Sequence, residues 1–168
     1  MQLLADDLRS APATLRPFRP DPFQPDAVRR AAEAARIATW RVVAVTDPAL
    51  RRAIRDAHLP HWRAHLVGTG GARVIAADAP ARRARDLRAA DAFATGLHEI
   101  PVHVLLLGRR GGTLRPGVLA DLRRALHDEQ LAAVPVPLVD RAQPELRAAL
   151  DLPDDLTLEA VLAARPHR

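Results

Sequence analysis

The stretch Thr39–Pro48, TWRVVAVTDP, decides how the chain is read. Val42, Val43, Ala44 and Val45 form a short apolar, β-branched run, the composition of a buried strand. Asp47 followed by Pro48 predicts a helix start, with the carboxylate as cap and proline at a position whose N–H has no intrahelical partner. On the other side, Pro25–Ala38 places Ala27, Val28, Ala31, Ala34, Ala35 and Ala38 at helical intervals. A helix that feeds a buried strand with almost no connecting residues predicts an α+β or α/β layer fold.

Working outward, Leu3–Ser10 is read as a short amphipathic helix. Pro12, Pro17, Pro20, Pro22 and Pro25 make residues 11–25 a proline-rich N-terminal arm, because proline lacks the amide hydrogen and restricts its predecessor. Phe18 and Phe23 are its apolar anchors. Beyond the central stretch, Pro48–His58 is read as a helix that Pro60 kinks or ends, with a further turn over His61–Val67 and a glycine break at Gly68–Gly71. Residues 79–96 predict a helix closed by Gly96. Pro101–Leu107, PVHVLLL, is the second strong strand, and Pro116–Leu126 the next helix. Val134–Val139 is strand-like, and its two prolines confine it to an edge. Gln143–Leu150 predicts a short helix. Leu156–Ala163 fits a strand or a helix, and periodicity does not choose between them.

At 168 residues the chain is read as one domain, residues 1–168. It has no cysteine, lysine, asparagine or tyrosine. That composition excludes disulfides, thiolate chemistry, Schiff bases and phenolic acids. The net charge of +5 is modest, and the densest basic run, Arg82, Arg83, Arg85 and Arg88, is interleaved with Asp86 and Asp91 as on a solvated face. With no aromatic platform beside it, nucleic acid is not an expected partner. No apolar run is long enough to span a bilayer, and no signal peptide is visible, so a cytoplasmic protein without membrane contact is expected.

Three segments resemble the nitroreductase family of flavoproteins: TLRPFRPDPFQPDAVRRAAEAARIA its arm and first core helix, TWRVVAVTDPALRRAI its tryptophan-led strand and following helix, and LHEIPVHVLL from Leu97 its HEVPV strand start. PELRAALDLPDDLTLEAVLA is similar to the family's helix, LGLP turn and final core strand. The resemblance implies an α+β fold with a mostly antiparallel central sheet wrapped by helices. It also implies an intertwined homodimer with FMN at the interface, and hydride relay from NAD(P)H to a small-molecule substrate. The alternative is a flavin-free, non-catalytic dimer that serves as a binding scaffold.

Carried over onto this sequence, the family's Arg-x-Ser-x-Arg/Lys arm falls on Pro12 to Arg16. Thr14 keeps the hydroxyl and Arg16 the cation that would hold the flavin phosphate, and proline replaces the leading arginine. The family's Asn- and Gln-bearing loop before the tryptophan is missing, since Ala38 passes through Thr39 directly to Trp40. Near Leu131–Val134, LAAV stands where the family has a Gly-Leu-Gly turn. The C-terminal tail supplies Arg165 and Arg168 as further phosphate candidates. Trp40 belongs to the same set, with a core or interface role expected ahead of ring stacking.

Two histidine clusters invite other chemistry. His58, His61 and His65 would share a face of an unbroken helix, but with Pro60 between the first two they are read as surface or interface residues and no metal site is expected. The resemblance makes His98 and Glu99 a positioning motif, and on the residues alone the pair is read as a loop in which a hydrogen bond orients Glu99 before Pro101. His103 shares a strand face with Leu105 and Leu107 and is expected to be half buried.

Overall fold

The computed structural model describes residues 25–35, 40–77, 82–110, 117–137, 139 and 141–167. The predicted helix at Leu3–Ser10 and the proline-rich arm lie outside the described residues. Six helices and four strands follow in the described part: α1 (Pro25–Ala34), β1 (Arg41–Val45), α2 (Pro48–Gly68), α3 (Gly71–Ala76), α4 (Arg82–Thr95), β2 (Val102–Arg109), α5 (Val118–Asp128), β3 (Leu131–Pro135), α6 (Gln143–Ala149) and β4 (Leu156–Pro166). A 3₁₀ turn, Leu97–Glu99, leads into β2. The strands form one antiparallel sheet in the order β1-β2-β4-β3.

Helices cover both faces. Val102, Val104 and Leu106 of β2 and Ala160, Leu162 and Ala164 of β4 meet Ala27, Val28 and Ala31 of α1 and Leu122 and Leu126 of α5. On the opposite face Leu105, Leu107, Val161 and Ala163 meet Ile54 and Ala57 of α2 and Leu146 of α6. β4 lies between two strands and under helices on both sides, so it reads as a nearly continuous buried run. That burial decides the open case: leucine and alanine, good helix formers, are held as strand by tertiary packing. A bulge between Leu106 and Leu107 of β2 moves the β4 partner from Ala160 to Leu158, and Glu159 is the extra residue. Burial raises the Glu159 carboxyl above its ordinary pKa.

Several boundaries differ from the sequence reading. Pro60 neither ends nor divides α2, which runs to Gly68. Pro60 faces solvent while Leu59 and Trp62 face the core, so the carbonyl that loses its partner at Asp56 can be hydrated. Asp47 caps α2 as expected, accepting from the N–H groups of Ala49 at 2.7 Å and Leu50 at 2.9 Å. Beyond Thr69 the chain resumes as α3, where only a glycine break was expected. The described part of α1 spans Pro25–Ala34, with Ala35 in a turn, and the expected continuation to Ala38 and its junction with Trp40 lie outside the described residues. β3 runs from Leu131 to Pro135, starting three residues before the predicted Val134–Val139 strand and stopping at the first of its two prolines, and it is an edge strand, where a proline is tolerated.

A third cluster, Leu59, Trp62 and Leu66 with Ala90 and Ala94, joins α2 to α4. Trp62 donates its indole N–H to Asp91 at 3.0 Å, satisfying the one polar atom of a buried ring. Among the described residues no helix is long and apolar enough to cross a membrane.

Candidate functional site

Trp40 stands one residue before β1, level with Gly108 of β2, since Arg41 pairs with Leu107. Its indole covers Gly108 so closely that a Cβ there would lie 2.0 Å from Cζ3. The rest of the ring packs on the α1–α5 side of the core. Here glycine serves a close approach, supplying the space that the aromatic ring fills.

Arg165 lies at the other end of the sheet. It is half buried on β4, opposite Ala132 of β3, one residue beyond the Ala164–Val102 pair. The sheet therefore separates Trp40 from Arg165 by the length of β2 from Val102 to Gly108, roughly 20 Å at the usual rise per strand residue. Within the chain these two residues do not meet in a common site. Thr14, Arg16 and Arg168 lie outside the described residues, as does the junction at residues 36–39.

The segment LAAV is part of β3, and the tight turn lies just before it. Gln130 adopts a left-handed conformation, φ 61°, while its carbonyl accepts from the His167 N–H at 2.7 Å. Glycine takes that conformation without the Cβ clash. Gln130→Gly is therefore expected to stabilise the chain by about 1 kcal/mol, and a midpoint of chemical unfolding no higher than wild type would refute the strain.

Sequence reasoning missed the polar group that fixes the LHEIP turn. Arg51 of α2 donates through Nη1 to the carbonyls of His98 at 2.9 Å and Ile100 at 2.8 Å. Its spacing from Ile54 and His58, both buried, was the available signal: all three lie on the inward stripe of α2. Burial lowers the pKa of the Arg51 guanidinium. From the sheet side, His103 meets the Leu97 carbonyl with Nε2 at 2.9 Å. His103 is fully buried, not half buried, because α2 and the turn close over it. Burial, opposed by the Leu97 hydrogen bond and assisted by Arg51 and His98, depresses its pKa to about 4. The turn is thus held through its carbonyls, and Glu99, expected to be oriented by a loop hydrogen bond, is exposed.

The histidines of α2 diverge. His58 is buried with Nε2 2.9 Å from the Pro137 carbonyl, His61 faces Glu145 at 3.3 Å, and His65 lies beside Trp62 with centroids 5.9 Å apart. Desolvation lowers the His58 pKa. No group of three His, Cys, Asp or Glu residues suited to a metal ion occurs among the described residues.

A second unforeseen pair closes the free edge of β4. Beyond β3, the Val136 N–H bonds to the Val161 carbonyl at 2.8 Å, and the remaining carbonyls are reached by α6 side chains. Gln143 donates to Leu158, and Arg147 donates to Leu156 and to Pro153, the last at 3.0 Å. Residues four apart on a helix share a face, so one side of α6 lies along the strand.

No family model matches the chain, and no curated protein matches it. Solved structures do. The FMN and NADPH-dependent nitroreductase NfnB from Sphigopyxis sp. strain HMH superposes with a TM-score of 0.60 at 19% identity, over 97% of this chain and 88% of that one. Oxidised iodotyrosine deiodinase bound to FMN and 3-iodo-L-tyrosine gives 0.60 at 17% identity, over 98% and 90% of the respective chains. A BluB-like flavoprotein from Clostridium difficile 630 gives 0.58 at 14%, over 98% and 90%. The chain has the nitroreductase fold.

Proposed function

We propose that this nitroreductase-fold chain is an FMN-binding oxidoreductase that relays hydride from NAD(P)H to a small organic acceptor, working as a homodimer. The observation that carries this reading is the superposition over nearly the whole chain on structures described as FMN-dependent or FMN-bound. FMN, when bound, supplies the redox chemistry, and the protein's part is to hold and orient it.

Thr14 and Arg16, with Arg165 and Arg168, are the groups assigned to the flavin phosphate, a dianion that a guanidinium can meet with two parallel hydrogen bonds. Arg165 makes no ion pair among the described residues, which suits it to an anion. Trp40 forms the sheet wall near the missing loop, its ring seated on Gly108. The distance between Trp40 and Arg165 supports a site shared between two copies over one built within a single protomer.

A flavin-free scaffold is the second reading. Pro12 in place of an arginine, the lost Asn and Gln, and β3 alanines in place of a glycine turn favour it. The absorption spectrum separates the two. After FMN is added to the full chain and free ligand removed, flavin bands are expected to stay with the protein. Arg16→Ala is expected to lower that retention more than Arg36→Ala does. A colourless protein that is still dimeric would overturn the flavin reading, and equal retention in the two variants would remove Arg16 from the phosphate site.

A further inference from the structure

All seven histidines of this cysteine-free chain lie among the described residues, so every imidazole or thiolate it could offer a metal is in view. Five have other surroundings: His58 and His103 are buried against carbonyls, His61 faces Glu145, His65 lies beside Trp62, and the His98 Nδ1 is buried beneath the LHEIP turn. The remaining two converge. Nε2 of His167 lies 2.8 Å from Nδ1 of His127, with ring centroids 4.5 Å apart and planes at 90°.

Backbone geometry sets this pair. His127 occupies the last turn of α5, and the His127 carbonyl accepts from the Gln130 N–H at 2.9 Å. The Gln130 carbonyl in turn accepts from the His167 N–H at 2.7 Å, one residue beyond the Leu131–Pro166 pair of the β3–β4 ladder. The reverse turn and the sheet therefore carry the two rings toward each other. Both side chains are exposed, so ions in solution reach them.

An N–H···N contact between two imidazoles holds a single proton on the line joining them. A metal ion can replace that proton. With nitrogen ligands at about 2.05 Å and tetrahedral angles, two imidazole nitrogens stand about 3.3 Å apart, so the rings need open by only about 0.5 Å. The carbonyl end of α5 adds partial negative charge at the same place, which favours a cation. Imidazole selects borderline ions over magnesium or calcium, which prefer oxygen donors.

We propose that His127 and His167 form a two-imidazole chelate for a first-row divalent cation of the Zn2+, Ni2+ or Cu2+ type, where α5 ends and β4 leaves the sheet, with water completing the coordination. This site is independent of the flavin reading. Calorimetric titration of the full chain with ZnCl2 at pH 7.5, free of any histidine tag, is expected to give one Zn2+ per chain. Affinity is expected to fall roughly tenfold or more in His127→Ala and in His167→Ala, and to stay unchanged in His65→Ala. Electron paramagnetic resonance of the Cu2+-loaded chain is expected to show hyperfine coupling from two imidazole nitrogens, reduced to one in either variant. The absence of saturable Zn2+ uptake, or equal affinity in wild type and both variants, would overturn the site.

Discussion

Gly108→Ala is expected to be among the most damaging single substitutions in the chain, lowering stability by roughly 3 kcal/mol or more. A methyl group at residue 108 would sit 2.0 Å from Cζ3 and 2.7 Å from Cε3 of Trp40, inside the van der Waals radius of a ring with few alternatives. Either the indole leaves the α1–α5 side of the core or β1 parts from β2, and both expose apolar surface that is covered in the native state. The double variant Trp40→Leu with Gly108→Ala separates these effects from a loss intrinsic to the glycine backbone. Urea unfolding is expected to show that alanine at residue 108 costs much less once the indole has been replaced by the smaller leucine side chain. Equal costs in the two backgrounds would mean that the ring is not what forbids the methyl.

Stability is also expected to fall by about 3 kcal/mol as pH is lowered from 6.5 to about 4, through His103 alone. The native state holds this histidine neutral, its pKa depressed from 6.5 to about 4 by burial. As pH falls below 6.5 the unfolded chain therefore takes up the proton first, and stability drops until the native histidine also titrates. Above the unfolded pKa this contribution is flat. His58, lowered in the same direction, adds to the slope. His103→Gln keeps an amide donor for the Leu97 carbonyl and removes the titration. The difference in unfolding free energy between wild type and variant, followed from pH 7.5 to 4, is expected to change by most of that amount. Parallel curves would show that His103 carries no such linkage.

How much of this was legible in the sequence varies by element, for physical reasons. The β1 and β2 strands were plain because β-branched and leucine runs between turn residues have few other uses. The Asp47–Pro48 cap was equally plain, since capping is a local transaction between a side chain and the next few N–H groups. β4 was not decidable, because Leu156–Ala163 is rich in leucine and alanine, which favour helices, and becomes strand only through pairing with β2 and β3. Pro60 misled because its effect depends on which side of the helix it occupies, a fact that exists only after α2 has a buried face.

The candidate site was less accessible still. Trp40 could be singled out, but its partner Gly108 is far away in sequence, and a lone glycine after a strand reads as a stop. Arg51 carried a helical-spacing signal that its neighbour Arg52 obscured. The His127–His167 contact had no local signature at all, since it depends on the β3–β4 register and the left-handed Gln130.

The side chains of Gln143 and Arg147 have a consequence for the chain's behaviour at high concentration. Where β3 stops, β4 would otherwise present a row of bare carbonyls, an invitation for a foreign strand to pair and for aggregates to grow. Two α6 side chains occupy those acceptors, so the sheet cannot be extended there without first breaking charged and amide contacts. The helix thereby acts as a guard on an open margin beyond the end of β3, where a recruited strand would meet side chains in place of free acceptors.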